Sequence, residues 1–236
     1  MSQQLYALDD SLLAFPPTEF ALTDPNGLLA VGGDLSPERL VVAYQNGIFP
    51  WYSEHDPILW WSPNPRAIIK TDAVKINRSL AKFIRKCDYQ VTVNHAFEEV
   101  IDFCADAPFR DDDTWILPEM LEAYVRLHHQ GHAHSVEVWQ HGELIGGLYG
   151  VAVNGFFSGE SMFYRKDNAS KIALIALANK LRSIGVGLID CQIQNPFLQS
   201  MGAVEISRER FMQMKHSALN IIPDHKFWLA TEIAVS

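Results

Sequence analysis

Polar and apolar residues alternate along this chain with two different periods, and the two periods divide it into predicted helices and strands. Near the N-terminus, Ser36 and Pro37 have the form of a helix start, because serine caps a first turn well and proline suits the first helical position. Leu40 and Tyr44 then fall on one helical face, and Gly47 follows as a C-terminal stop. These features predict a short amphipathic helix.

After residue 62 the periods indicate a mixed α/β unit. The predicted elements are a strand at 67–70, a helix at 76–87, a strand at 89–93, a helix capped by Asn94, a helix at 118–130, a hairpin of 135–139 with 143–151, a strand at 156–163, a helix at 168–185 capped by Asn168, and a strand at 186–192. Pro63 and Pro65 mark the predicted junction between a small, aromatic-rich N-terminal domain at 1–62, with few strands, and a catalytic domain at 63–236. No regular element is expected between residues 49 and 66. The expected fold class is therefore α/β, of the α+β kind.

The order of strands and helices in the second domain resembles the core of N-acetyltransferase-like (GNAT) proteins. Enzymes of that group usually cradle the pyrophosphate of coenzyme A with a glycine-containing loop that leads into a helix. The equivalent loop here, residues 162–168, contains no glycine. The sequence thus predicts a GNAT-like catalytic domain without the usual cofactor site.

Composition excludes several classes of protein. The 236 residues are 48% hydrophobic and 20% charged, which suits globular domains with a sizeable core. The N-terminus lacks the features of a secretory signal, and no segment reaches the roughly 18 apolar residues of a membrane span. Three widely spaced cysteines argue against a disulfide framework, and the histidines at 128, 129, 132 and 134 have no carboxylate or cysteine partner at a zinc spacing. We expect a soluble, intracellular protein without a metal site.

Glu160, Asp190 and Gln192 are the first candidates for chemistry. Each stands in otherwise apolar surroundings, where an acid or amide is costly to bury unless it is paired or used. Asp190 ends an apolar strand, and Gln192 follows on the same side, so an acid and an amide would lie together. The apolar pocket predicted beside them is formed by Met162, Leu174, Leu177 and Ile189. The alternative is a strand-end acid that only braces a turn.

A second group of residues suggests contact with RNA. The helix at 76–87 carries a basic stripe made of Arg78, Lys82, Arg85 and Lys86. The net charge of -9 argues against a general nucleic-acid binder, yet it makes an all-basic stripe less expected, so a phosphate-binding surface competes with an ordinary solvated face. Tyr44, Trp51 and Trp115 are candidates for stacking on a base, whereas Trp60 and Trp61 are expected to pack between the domains.

Several longer strings occur together and in order. They are NGLLAVGGDLSPERL, YQNGIFPW, WWSPNPR, GHAHSVEVW, FFSGESMF, NASK and LIDCQ. With these strings the chain resembles the leucyl/phenylalanyl-tRNA–protein transferases, from about Phe15 to Trp228. The resemblance implies an enzyme that moves leucine or phenylalanine from aminoacyl-tRNA onto a protein whose N-terminal residue is arginine or lysine, which marks that protein for degradation. It also implies a cytoplasmic enzyme that needs no cofactor, and nothing in the sequence demands more than a monomer.

The resemblance also assigns roles to residues in matched motifs. The catalytic positions fall at Glu160, Asp190 and Gln192, with Met162 beside them. The residues that stack on the terminal adenosine of the tRNA fall at Tyr44, Trp51 and Trp115. The basic helix implied to touch the tRNA body carries Arg78, Lys82, Arg85 and Lys86.

The mechanism expected from these residues is direct attack of the acceptor's α-amine on the aminoacyl ester. Asp190, oriented by Gln192, is predicted to accept a hydrogen bond from this amine and to take its proton, while Glu160 helps to place an amino group or the basic end of the acceptor. The apolar pocket is predicted to select the unbranched Cβ of leucine or phenylalanine. Two alternatives remain open: an acetyl-CoA-dependent N-acetyltransferase, and a non-catalytic module that binds RNA or a peptide.

Overall fold

The computed structural model describes residues 4–9, 11–106 and 116–235. Within these residues the helices are α1 (Pro37–Gln45), α2 (Arg78–Ile84), α3 (Phe97–Ala105), α4 (Pro118–His129), α5 (Ala169–Ser183), α6 (Pro196–Ser200) and α7 (Arg208–Leu219), with a 3-10 turn at Thr18–Phe20. The strands are β1 (Tyr6–Leu8), β2 (Leu28–Gly32), β3 (Phe49–Pro50), β4 (Leu59–Trp61), β5 (Arg66–Lys70), β6 (Gln90–Val93), β7 (Ala133–Gln140), β8 (Glu143–Val153), β9 (Phe156–Tyr164), β10 (Leu188–Asp190), β11 (Val204–Ile206) and β12 (Thr231–Glu232). The predicted α/β class is confirmed. None of these helices is long and apolar enough to cross a bilayer.

The N-terminal part of the chain forms a small sheet in the order β1-β2-β4-β3. Strand β1 runs parallel to β2, and the other neighbours are antiparallel. Trp60 at the centre of β4 is fully buried, and its indole N–H donates to the carbonyl of Gly32 at 2.8 Å. The expectation of few strands before residue 62, and of none between 49 and 66, is therefore wrong, because β3 and β4 are too short to show an alternating pattern.

The larger sheet has the order β11-β5-β10-β9-β8-β7-β6-β12. Every pair of neighbours is antiparallel except β9 and β10, which are parallel and share a single register pair, Ser158 opposite Asp190. Both strands line the same cavity past this point, so they separate there instead of continuing their ladder. The functional site is built around this separation.

The central hairpin and the long helix lie where the sequence predicts them, although Asn168 occupies the N-cap position of α5 without the predicted side-chain hydrogen bond. Strands β7 and β8 are joined by His141 and Gly142, whose φ angles of 52° and 80° are those of a two-residue turn that matches the twist of a hairpin. Helix α5 lies against this sheet with most of its apolar side chains buried. The hairpin thus fixes the position of α5, whose inner face forms one wall of the cavity.

Two clusters of buried side chains hold the molecule together. One lies between the larger sheet and α5 and includes Ile69 and Ile172. The other contains Leu29 and Trp60 from the small sheet together with Tyr124 of α4. The second cluster therefore draws on residues from both sides of position 62. The division into domains at 1–62 and 63–236 stays a prediction, and the two parts share this core.

The helix expected directly after Asn94 begins later than its predicted cap. Its N-cap residue is Ala96, with no side-chain hydrogen bond. Asn94 instead has a φ of 56°, donates from its amide to the carbonyl of Trp228 at 2.6 Å and accepts from the backbone of Ser135 at 2.9 Å. Asn94 therefore connects β7 to the C-terminal segment, and the prediction that it caps a helix is wrong.

Candidate active site

A cavity of about 680 Å³ opens where β9 and β10 separate. This volume falls in the range of small-molecule sites, about 300–1,000 Å³. Residues from both sheets contribute to its wall, including Phe49 and Trp51 from the N-terminal part and Leu148 from β8. The cavity therefore lies where the two parts of the molecule meet.

The apolar wall brings together the four residues that the sequence proposed for a pocket. Leu174 and Leu177 lie on one face of α5, Met162 lies on β9 and Ile189 on β10, and all four line the cavity. Leu174, Leu177 and Ile189 are nearly fully buried. Such a wall can accept an apolar side chain of the size of leucine.

Asp190 lies behind the cavity wall. It is 0% exposed, and its carboxylate makes a two-pronged ion pair with Arg66, in which Nε donates to Oδ1 at 2.8 Å and Nη2 donates to Oδ2 at 2.7 Å. The guanidinium of Arg66 also donates to the carbonyl of Gly47 at 3.2 Å and packs between the rings of Phe49 and Phe211, 4.9 and 4.5 Å from their centroids. The charge of Asp190 is therefore compensated inside the protein.

The same carboxylate controls the position of Gln192. Oδ1 of Asp190 accepts a hydrogen bond from the backbone N–H of Gln192 at 3.1 Å, and Gln192 has a φ of 55°, a left-handed conformation that few residues other than glycine adopt. This hydrogen bond stabilises the turn that directs Gln192 into the cavity wall. Because Asp190 is enclosed, the expectation that it meets the attacking amine itself is corrected: Asp190 positions Gln192, and not the reverse.

The hydrogen bonds around Gln192 determine which way its amide points. Its Nε2 donates to Oγ of Ser158 and to Oε1 of Glu160, both at 3.0 Å. Ser158 has one hydroxyl proton, which goes to Oδ2 of Asp190 at 3.0 Å, so its oxygen is free to accept from Gln192. Both neighbours of Nε2 are acceptors. The Oε1 atom of Gln192 is consequently left as a hydrogen-bond acceptor at the cavity.

Glu160 lies on the same side of the cavity and is held by tyrosines. The hydroxyl of Tyr124 donates to its Oε2 at 3.0 Å. Burial raises the pKa of Glu160 to about 7, although the hydrogen-bonding hydroxyls of Tyr124 and, beyond it, Tyr44 oppose the increase. A carboxyl group with this pKa can gain or lose a proton close to neutral pH. Glu160 and Gln192 together can therefore receive an amine: one accepts its hydrogen bond and the other its proton.

The three aromatic residues proposed for stacking have different outcomes. Tyr44 is 1% exposed and its hydroxyl lies 2.5 Å from that of Tyr124, so its ring offers no face to a base and the stacking role is corrected to one of support. Trp51 lines the cavity and is 42% exposed, and its backbone carbonyl accepts from the indole of Trp61 at 2.6 Å. Trp115 lies outside the described residues. Among the described residues Trp51 therefore remains a stacking candidate, and the role of Trp115 stays a prediction.

The proposed basic stripe lies on the surface, with Arg78 and Lys82 on α2 and with Arg85 and Lys86 in the turn after it, because the helix predicted at 76–87 ends at Ile84. Arg78, Lys82, Arg85 and Lys86 are all exposed. None of them makes an ion pair within the described part of the chain. Asn77 caps the helix by accepting from the backbone of Leu80 at 2.9 Å. The structure thus shows a basic surface whose charges are not neutralised by ion pairs within the described residues. Both a solvated helix face and a phosphate-binding face have this property.

Three residues of the site did not emerge from the sequence. Arg66 is separated from Asp190 by 124 positions, and no local pattern joins them. Ser158 and Tyr124 each had a weak signal: the first is a hydroxyl inside an apolar strand, and the second is a hydroxyl on the buried face of α4. Within residues 4–9, 11–106 and 116–235, no cluster of three or more His, Cys, Asp or Glu side chains could hold a metal ion.

Comparisons with known proteins give one consistent result. A family model described as leucyl/phenylalanyl-tRNA protein transferase matches residues 68–216, and the model for the N-terminal domain of that family matches residues 33–64. The leucyl/phenylalanyl-tRNA–protein transferase of Colwellia psychrerythraea is 59% identical over 100% of both chains. Proteins of the same name from Pseudoalteromonas translucida and Idiomarina loihiensis are 50% and 54% identical; the alignments cover 99% and 96% of this chain and 98% and 96% of theirs.

Proposed function

Because this chain belongs to the leucyl/phenylalanyl-tRNA protein transferase family, we propose that the cavity between β9 and β10 is where it joins an aminoacyl residue to a protein. The chain is an aminoacyltransferase that takes its aminoacyl group from tRNA and delivers it to a protein N-terminus. The proposal concerns the residues that perform this transfer, the preferred acceptor and the path of the tRNA.

The apolar wall holds the side chain of the transferred residue. Met162, Leu174 and Ile189 present methyl and methylene groups, which favour leucine and phenylalanine over polar residues. A residue branched at Cβ would place a methyl group against this wall. Misfits of this kind are worth about 1–3 kcal/mol each, which suffices to disfavour valine and isoleucine.

The attacking amine is received by Gln192 and Glu160. Oε1 of Gln192 accepts a hydrogen bond from the amine. This contact directs the lone pair of the amine nitrogen at the ester carbonyl carbon. As the C–N bond forms and the ester C–O bond breaks, the extra proton on nitrogen passes to the Glu160 carboxylate, and Glu160 then gives this proton to the leaving ribose oxygen, which regenerates the carboxylate. The ester is already activated, so much of the acceleration comes from holding the two reactants together.

The tRNA is held by stacking and by charge. Trp51 at the cavity mouth supplies an exposed aromatic face for the terminal adenosine, a contact worth about 1–3 kcal/mol. The exposed basic side chains of α2 bind phosphates of the tRNA body. Together they orient the ester toward Gln192.

The preferred acceptor carries arginine or lysine at its N-terminus. Glu160 places a carboxylate at the cavity, and the net charge of -9 attracts a basic peptide end. The transferred residue then labels the acceptor for degradation. We place this activity in the cytoplasm, where aminoacyl-tRNA is made, and assign it to a monomer, because one chain supplies all the residues invoked above.

The observation that carries this proposal is the free Oε1 of Gln192 beside a carboxyl group with a pKa of about 7 in an apolar cavity. The test is incubation with labelled leucyl-tRNA and two peptides that differ only in their first residue, arginine or alanine. We expect label on the arginine peptide alone. Label on both peptides would contradict the acceptor preference, and label on neither would contradict the transfer itself.

A parallel incubation with labelled acetyl-CoA tests the alternative N-acetyltransferase. The loop at 162–168 has no glycine to cradle a pyrophosphate, so we expect no acetylated peptide. Replacement of Gln192 by alanine should lower kcat for leucyl transfer by about 100-fold, the loss typical of one precisely placed polar group. A non-catalytic binding module would show no leucyl transfer in the wild-type protein or in the Gln192→Ala variant.

A further inference from the structure

Two buried tyrosine hydroxyls form a chain that ends on Glu160. The hydroxyl of Tyr124 donates to Oε2 of Glu160 at 3.0 Å, and the hydroxyl of Tyr44 lies 2.5 Å from that of Tyr124. Tyr124 is 0% and Tyr44 is 1% exposed, and neither lines the cavity. The chain therefore runs from the interior of the second hydrophobic cluster to the carboxylate at the cavity wall.

The proton count gives this chain a direction. A hydroxyl has a single proton, and that of Tyr124 goes to the carboxylate. The short contact between the two hydroxyls is therefore a hydrogen bond donated by Tyr44 to Tyr124. With Glu160 ionised, every proton in the chain has an acceptor.

Protonation of Glu160 disturbs this arrangement at either oxygen. A proton on Oε2 would be donated to Tyr124, Tyr124 would have to donate to Tyr44, and the proton of Tyr44 would find no acceptor except the carboxyl group that already carries its own. A proton on Oε1 would face the Nε2 donor of Gln192 at 3.0 Å. The network therefore favours the carboxylate, because buried donors without acceptors are costly.

The groups around Glu160 both raise and lower its pKa. Burial is the largest influence and raises its pKa, the linked hydroxyls of Tyr44 and Tyr124 lower it, the charge of Asp190 on β10 raises it, and the charge of Arg66 on β5 lowers it. Tyr149 of β8 packs edge-on against Tyr124 with ring centroids 5.7 Å apart. The balance leaves the pKa of Glu160 at about 7, close to the ordinary 7.7–8.0 of a peptide α-amino group.

We propose that Tyr124 and Tyr44 are positioning residues for aminoacyl transfer, whose hydroxyls fix both the orientation and the charge of Glu160 so that it takes a proton from the acceptor amine at neutral pH. This inference rests on the proposed role of Glu160 in the transfer. It assigns the two tyrosines to the support of a reacting group, and it requires that loss of either hydroxyl makes the carboxylate harder to form.

The test is the pH dependence of kcat/KM between pH 5.5 and 8.5, with leucyl-tRNA and an arginine-started peptide. We expect Tyr124→Phe to move the midpoint of the rise upward by about one unit, which lowers transfer about tenfold below the midpoint and leaves it close to normal at the highest pH. Tyr44→Phe should move it in the same direction. A purely structural role would lower transfer equally at every pH, and an unmoved midpoint in both variants would overturn the inference.

Tyr52→Phe is the matched control. Tyr52 is also buried and donates its hydroxyl to a carboxylate, Glu119, at 2.5 Å, but it does not line the cavity. This variant should keep the wild-type midpoint, and a shift as large as that of Tyr124→Phe would overturn the inference by showing that any buried hydroxyl has the effect.

A second measurement distinguishes a failure of the proposed function from a failure of the inference about the two tyrosines. Carbon-13 NMR of protein labelled at glutamate carboxyls follows Glu160 directly, with its signal identified by its loss in Glu160→Gln. If the wild-type protein fails to transfer leucine, the proposed function is contradicted. If it transfers leucine but the Glu160 signal titrates at the same pH in the wild type and in Tyr124→Phe, only the inference about the tyrosines is contradicted.

Discussion

Arg66 and Asp190 meet edge to edge, with their two hydrogen bonds of 2.8 and 2.7 Å lying side by side and both side chains almost completely removed from water. The pair lies behind the cavity wall. Asp190 accepts hydrogen bonds from the backbone N–H of Gln192, which lines the cavity, and from the hydroxyl of Ser158. A buried ion pair of this kind contributes little net stability, but removal of one partner leaves an uncompensated charge. Its main consequence is that Gln192 has one orientation.

The first prediction concerns Asp190→Asn. This change leaves the Arg66 guanidinium buried without a counter-charge, and it should lower the free energy of unfolding by about 3–5 kcal/mol. Leucyl transfer should fall strongly, because an amide NH₂ group replaces the Oδ2 atom that accepts from the Ser158 hydroxyl, so Ser158 is no longer oriented to accept from Gln192, while binding of tRNA stays nearly intact. Urea unfolding, single-turnover transfer and filter binding of leucyl-tRNA measure the three quantities.

A double variant separates stability from positioning. Arg66→Met combined with Asp190→Asn removes both charges, so most of the lost unfolding free energy should return. Transfer should stay low, since the hydroxyl of Ser158, which accepts from Gln192, still lacks its carboxylate acceptor. Recovery of transfer together with stability would show that the ion pair matters only for folding.

A second prediction concerns the side chain that the pocket accepts. Leu177→Ala removes three carbon atoms from the cavity wall, so phenylalanine should gain on leucine in kcat/KM by about tenfold. The cost in stability should be about 2–5 kcal/mol. Competition between labelled leucyl-tRNA and phenylalanyl-tRNA gives the ratio directly.

Leu181→Ala is the control for the pocket. Leu181 is one turn further along α5 and is as buried as Leu177, but it does not line the cavity. It should lower stability by a similar amount and leave the ratio of phenylalanine to leucine unchanged. An equal change of ratio in both variants would contradict the assignment of Leu177 to the pocket.

A third prediction tests the basic surface formed by α2 and the turn that follows it. Replacement of both Arg85 and Lys86 by alanine should weaken tRNA binding and reduce the slope of log K against log salt by about 0.7–0.9 for each phosphate contact that is lost. Arg182→Ala removes an exposed arginine near the end of α5 and should leave the slope as it is. If the double variant also keeps the wild-type slope, α2 is only a solvated surface.

A fourth prediction concerns stability as a function of pH. The pKa of Glu160 is raised from an ordinary 4.5 to about 7 in the folded chain, so its contribution to stability is fully present below pH 4.5 and is lost as pH rises through 7. Relative to Glu160→Gln, the wild-type protein should therefore lose roughly 1–3 kcal/mol of unfolding free energy between pH 4.5 and 8. Parallel urea titrations at pH 4.5, 6, 7 and 8 measure this difference. A constant difference at all four would contradict the raised pKa.

Local patterns predicted those parts of the fold whose causes are local. Ser36 accepts a hydrogen bond from the backbone of Arg39, with Pro37 in the first helical position, as the spacing indicates. The turn at His141 and Gly142 is equally local. Asn94 shows the limit of this reasoning, because its side chain is bound by Trp228, a residue 134 positions away that no sequence window contains.

The C-terminal helix α7 received no prediction, for a physical reason. Its buried face includes Lys215 beside Phe211 and Ala218, so the apolar stripe is interrupted by a charge. The ammonium of Lys215 donates to the carbonyl of Gln45 at the end of α1, and this partner makes its burial possible. The site was predicted in the same uneven way: Glu160, Gln192 and the apolar wall come from local motifs, whereas the partner of Asp190 depends on the tertiary fold.

The setting of Arg66 has a consequence for how the polypeptide could be divided. Its guanidinium is anchored to the carbonyl of Gly47 and the ring of Phe49, which precede the predicted junction at Pro65, while its ion-pair partner Asp190 follows that position. A fragment that starts after Pro65 would contain Arg66 without the carbonyl of Gly47 and the ring of Phe49. The complementary fragment would contain these two groups without Arg66. Neither half alone can hold Arg66 and Asp190 in their present arrangement, so a replacement for the N-terminal half would have to supply a carbonyl and an aromatic ring at the same positions.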